Sequence, residues 1–153
     1  MAEGSMTVDE LKKLVGHTFK PVVYEVEKGA IKKLALAIQD PNPLFQDEAY
    51  AKKTKFGSII TPPTFISSFR MAEADEWMMK LNIPQKRGVN AGVDMEFFKP
   101  IKPGDVITVS AKVTEMDVKE GKSGQMVVSA TERIYTNQKD EVVARMRIRG
   151  MRF

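Results

Sequence analysis

The chain has no cysteine, one histidine and one tryptophan in 153 residues. Missing thiols exclude disulfides, cysteine nucleophiles and thiolate-held zinc or iron–sulfur centres, and fit a reducing cytosol. A lone histidine excludes a multi-histidine metal site within one chain, so neither a metal nor a cofactor is expected. Long apolar runs are also missing. The longest, Leu34 to Ile38, falls far short of the roughly 20 residues that span a bilayer, and the N-terminus has no basic-then-apolar signal pattern. The expectation is a cytoplasmic protein with no membrane contact. Charge of one sign is scarce: 24 Lys and Arg against 20 Asp and Glu leave +4. That mild excess favours anionic partners, but basic residues interleaved with exposed aromatics are lacking, and nucleic acid is not expected as a partner. Gly-x-Gly-x-x-Gly, Walker A, Gly-x-Ser-x-Gly and His-Glu-x-x-His motifs do not occur, which removes the commonest nucleotide, serine-hydrolase and zincin functions.

What is there belongs to a folded domain. With 42% hydrophobic and 29% charged residues, the composition is that of a globular chain rather than a disordered one. Its length suits one domain over residues 1–153, with residues 1–6 as a leader or frayed terminus. Thr7 and Glu10 form a capping box ahead of Val8, Leu11, Leu14 and Val15, predicting a short helix that Gly16 stops. Phe19 to Val26 is β-rich, with Pro21 near its start. Ile31, Leu34, Ala35 and Ile38 sit at helical spacing and predict a helix ending before Pro41. A short helix follows around Glu48 to Lys53. Thr61 with Pro62 and Pro63 is a start signal, and the breaker-free run from Thr64 to about Leu81, apolar on more than one side at first, predicts a long helix wrapped by a sheet.

From Val93 onward the period is two. Val93, Met95 and Phe97 alternate, as do Ile107, Val109, Ala111 and Val113. Met126–Thr136 and Val142–Met151 give two more strands, with a hairpin at Gly121–Gly124 before them and a turn at Asn137–Asp140 between them. The expected fold class is α+β: an antiparallel hot-dog sheet curled around one long central helix. Exposed sheet edges in so small a fold lead us to expect a dimer.

The segment Asp40-Pro41-Asn42-Pro43-Leu44-Phe45-Gln46-Asp47, followed by Ala51, resembles the hydratase motif of the MaoC-like family, Asp-x-Asn-Pro-(aliphatic)-His-x-Asp. Ile60-Thr61-Pro62-Pro63-Thr64-Phe65 resembles the signature of its N-terminal dehydratase subgroup, and Phe98-Lys99-Pro100-Ile101-Lys102-Pro103-Gly104-Asp105 its strand-turn motif. The resemblance implies a hot-dog protein handling acyl thioesters of coenzyme A or acyl carrier protein, of the (R)-specific enoyl hydratase or 3-hydroxyacyl dehydratase type. In that chemistry an aspartate and a histidine share proton transfer at the C2–C3 bond, and fixed donors hold the enolate oxygen. Asp40 takes the aspartate's position and is the candidate catalytic residue. Phe45 stands where the histidine should be and cannot transfer a proton.

The resemblance therefore implies an acyl-binding or supporting subunit, as a homodimer or paired with a MaoC-like catalytic subunit, with Asn42, Phe45, Thr64, Phe65 and Phe69 as candidate substrate-binding residues. The alternatives are a stand-alone hydro-lyase using Asp40 and a hot-dog thioesterase in which Asp40 or Asp47 activates water. Backbone N–H groups of Thr64 and Phe65, at a helix start, are candidate donors to a thioester carbonyl. Phe65, Ile66, Phe69, Met71, Trp77, Met78 and Met79 are candidates to line an acyl tunnel, although such stripes more often form core. Arg145, Arg147 and Arg149 share one strand face with Arg133 on the preceding strand, either meeting phosphates or forming cross-strand ion pairs. His17, at a strand entrance, carries no family motif.

Overall fold

Alternating residues in the second half of the chain form three long strands that organise everything else. The computed structural model describes residues 5–85, 87–121 and 124–153. Strands β3 (Val106–Gly121), β4 (Gly124–Thr136) and β5 (Val142–Arg152) make an antiparallel meander, with β1 (Thr18–Glu25) and β2 (Gly88–Phe97) at its two edges, in the order β1-β3-β4-β5-β2. Ile107, Val109, Ala111 and Val113 of β3 all point inward and are buried. Pro21 falls where the β1–β3 register shifts, between Phe19 and Val22; an edge strand loses least from a missing donor there. Of the expected leader, residues 1–4 lie outside the described residues, as do residues 122 and 123 of the expected Gly121–Gly124 hairpin. Met6, by contrast, is anchored, its N–H donating to the Asn82 carbonyl at 2.8 Å.

The Thr7–Glu10 capping box forms and starts α1 (Val8–Lys12), shorter than expected. Helix α2 (Lys28–Ala37) buries Ile31 and Ala35. Helix α3 (Glu48–Lys52) is capped by the Asp47 side chain.

One element departs from expectation. The segment predicted as a single helix is two pieces, a 3₁₀ stretch over Pro63–Ser68 and α4 (Ala72–Lys80), separated by non-helical backbone at Phe69 and Met71, with ψ of 89° and 84°. Thr, Phe, Ile and Ser are weak helix formers, and tertiary contacts decide the outcome. The Ser68 hydroxyl donates to the Phe65 carbonyl at 2.6 Å, and the Arg70 carbonyl accepts from the Tyr24 hydroxyl. Phe69 packs on Phe65, Tyr24 and Tyr135, with ring centroids 5.4, 5.2 and 6.0 Å away. The break lets Phe65, Ile66, Phe69 and Met71 all reach the core, whereas α4 buries no residue fully. The sheet thus closes around a bent segment rather than one long helix.

Candidate functional site

The loop after α2 is built by its own polar side chains. Gln39 takes a left-handed φ of 55°, and the Asp40 and Gln39 N–H groups reach back to the Ala35 and Leu36 carbonyls at 2.9 and 3.1 Å, a Schellman ending. Next, Asp40 Oδ1 accepts from the Asn42 N–H at 3.0 Å, and Asn42 Oδ1 accepts from the Leu44 N–H at 3.0 Å. Asp47 Oδ1 accepts from the Tyr50 N–H at 3.0 Å, while Gln46 Nε2 donates to the Asp40 carbonyl at 2.8 Å. The Asp40 and Asn42 bonds are the Asx type that short acids and amides make where prolines forbid a helix, and the Asp47 bond caps α3. Asp40 is half-buried. Phe45, at the end of a 3₁₀ turn over Pro43–Phe45, is 5% exposed.

The three motif segments meet in space. The Ile60 N–H donates to the Leu44 carbonyl at 3.1 Å, the Thr61 N–H to the Ile101 carbonyl at 2.9 Å, and Lys102 Nζ to the Phe56 carbonyl at 2.6 Å. Beside this junction lies an apolar groove of about 270 Å³ walled by Phe56, Ile60, Pro63, Phe97, Phe98 and Ile101. Sequence reasoning passed over Phe97 and Phe98 as a pair. Consecutive residues on a strand face opposite ways, so two adjacent phenylalanines cannot both enter one core; both are about half exposed, 46% and 52%.

The remaining candidates do not gather around Asp40. Thr64 is exposed, whereas Phe65 and Phe69 belong to the core cluster beneath the sheet. The Phe65 N–H is not a free donor, because it bonds the Pro62 carbonyl at 2.9 Å; the three-residue reach of a 3₁₀ turn engages it earlier than an α-helix would. His17 stacks on Trp77 at 5.6 Å and meets the Phe19 edge at 4.8 Å, holding α4 against β1.

The arginines divide between the two faces of the sheet. Arg145 pairs with Glu96 and Glu132, Arg147 with Glu115 and Arg149 with Asp94, across strands on the exposed face. Arg133 is not with them: its register partner on β5 is Met146, which turns it inward to 6% exposure. There Nη2 donates to Asp75 Oδ1, while Arg70 Nε donates to Asp75 Oδ2 at 2.7 Å. Burial raises the Asp75 pKa, but the hydrogen bonds and charges of Arg133 and then Arg70 outweigh it and leave the carboxyl below its ordinary value. The Tyr135 hydroxyl is pushed up by burial, partly offset by Arg133. On the surface, Lys32 and Lys28 hold Glu48 down at about 2.

The sequence model of the FAS1-like dehydratase domain region matches residues 13–146. The chain belongs to this family. A UPF0336 protein of Thermobifida fusca is 33% identical over 125 residues, covering 80% of each chain. Among solved structures, the MaoC-like dehydratase from Rhodospirillum rubrum is 26% identical with a TM-score of 0.67, covering 91% of this chain and 92% of that one. The HadBC (3R-hydroxyacyl-ACP dehydratase) complex from Mycobacterium tuberculosis superposes with a TM-score of 0.76 at 19% identity, over 90% of this chain and 96% of that one; at that identity the likeness concerns the fold.

This member of the FAS1-like dehydratase family has the hot-dog fold of MaoC-like proteins. Within that fold, residues 40–47 keep the loop-forming part of the motif, Asp40, Asn42 and Asp47, each bonded to nearby backbone. Phe45, between them, is buried. No helix among the described residues is long and apolar enough to cross a membrane.

Proposed function

We propose that the chain is an acyl-thioester-binding subunit of an (R)-specific enoyl hydratase or 3-hydroxyacyl dehydratase, whose aspartate–histidine pair comes from a MaoC-like partner. The observation that carries this reading is Phe45, an unreactive side chain at 5% exposure in the position of the motif histidine. Asp40 adds support, because one of its carboxylate oxygens already organises the loop. In this reading the apolar groove beside Phe98 receives the acyl or pantetheine arm. Asn42 and Phe45 shape the loop whose Leu44 carbonyl holds Ile60 of its wall, Thr64 follows Pro63 of that wall in sequence, and Phe65 and Phe69 keep the core behind the segment rigid.

Edge strand β2 is the proposed seat of the partner. Eight of its ten residues are exposed, with Val89, Val93 and Phe97 among its exposed large apolar side chains, and an open edge with apolar residues on it pairs readily with another chain. The HadBC protein, similar in fold, is by its name a complex.

The test mixes the purified chain with trans-2-enoyl thioesters of coenzyme A, follows enoyl absorbance and free thiol, and then adds a MaoC-like subunit that carries the histidine. Binding without turnover, followed by hydration once the partner is present, is expected. Hydration by the chain alone would make it an autonomous hydro-lyase, and thiol release would make it a thioesterase.

A further inference from the structure

The best-buried charge among the described residues keeps one donor without an acceptor. Arg133, 6% exposed, pairs with Asp75 through Nη2 and acts on the Tyr135 hydroxyl, while its Nε is buried without an acceptor. A guanidinium presents five donors, and buried ones are normally filled because an unmet donor in a low-dielectric interior is costly. Arg133 lines an open groove of about 340 Å³ together with Ser67, Arg70 and Asp75 on one side and Val93 and Met95 of β2 on another. Met146 and Ile148 of β5 extend the apolar wall. The acids of β2, Asp94 and Glu96, do not neutralise this site, since both pair with β5 arginines on the exposed face.

We propose that this groove binds a monocarboxylate with an aliphatic tail, its carboxylate bridging Arg70 and Arg133 and its tail lying along Val93, Met95, Met146 and Ile148. The charge count selects a monoanion. Two guanidiniums share the single Asp75 carboxylate, leaving one positive charge, which a monoanion cancels and a phosphate dianion overshoots. Planar carboxylates also match the guanidinium fork, and the apolar wall gives a tail somewhere to be buried. The site stands on its own residues and does not depend on the hydratase reading.

Hexanoate is the probe, titrated into the full chain while the Nε–H resonance of Arg133 is followed by nitrogen-15 NMR; Arg133→Lys identifies that signal by removing it. Saturable movement of the signal is expected. Acetate should bind about tenfold more weakly for want of a tail, and hexanol should not shift the signal. Arg70→Gln, at a side chain 72% exposed, keeps the fold and should weaken hexanoate about tenfold through loss of a charge-assisted contact. No saturable shift, an equal response to hexanol, unchanged affinity in Arg70→Gln, or phosphate binding as tightly as hexanoate would each overturn the proposal.

Discussion

The loop at residues 40–47 and the charged cluster beneath β2 use polar side chains in opposite ways. In the loop, Asp40, Asn42 and Asp47 each accept a backbone N–H within three residues, so the motif's polarity is absorbed into chain geometry. Under β2, Arg70, Asp75 and Arg133 come from sequence positions up to 63 apart and leave the Arg133 Nε without an acceptor. The loop residues are thus employed in shaping the backbone. Long-range charge clusters have no such local employment, and they are where unassigned binding capacity is to be sought.

The contrast is broken most forcefully at Arg133. Arg133→Met should cost about 4 kcal/mol in urea unfolding, because Asp75 is left charged and without its buried partner. Combining it with Asp75→Leu should recover much of that loss, whereas Arg147→Ala on the exposed face should cost at most about 1 kcal/mol. Phe45→Ala should cost about 3 kcal/mol through the cavity it leaves, the behaviour of a structural residue. In the loop, Asn42→Ala should cost about 1 kcal/mol as a lost cap. Asp40→Asn should be close to neutral for stability, since its carbonyl oxygen still accepts the Asn42 N–H.

Two smaller effects sharpen the picture around the loop. Gln39→Gly should stabilise by about 0.5 kcal/mol, the relief of a left-handed side chain exceeding the entropy that glycine adds to the unfolded chain. Glu48 ties α2 to α3 through Lys28 and Lys32 at 2.9 and 2.7 Å. Its folded pKa of about 2 lies below the ordinary 4.5, so its contribution is complete above pH 4.5 and fades as pH falls toward 2. Melting curves of the chain and Glu48→Gln should differ at pH 6 and converge near pH 2, with the gap narrowed by salt.

Much of the fold was legible because its signals are local. Strand patterning marked β4 and β5 to within about two residues and alternation the first half of β3, and the Thr7–Glu10 box marked the first helix. The 63–80 segment was misread because the strain-free helix its pattern allows competes with aromatic contacts to Tyr24 and Tyr135, which lie 45 and 66 residues away from Phe69. Arg133 was grouped with the arginines of β5 since strand register, which decides the face, is not written in either strand alone. Phe45 stood out from the motif itself. The groove beside Phe98 and the Arg133 groove did not, because each is assembled from distant segments.

The central claim, that this chain binds acyl thioesters without converting them, is tested most directly by titrating the isolated protein with crotonyl-CoA, reading binding calorimetrically and enoyl absorbance in parallel. Saturable binding with unchanged absorbance is predicted, and equally so for Asp40→Asn. Steady loss of absorbance with the unaltered chain that disappears in Asp40→Asn would contradict the account and return Asp40 to catalysis.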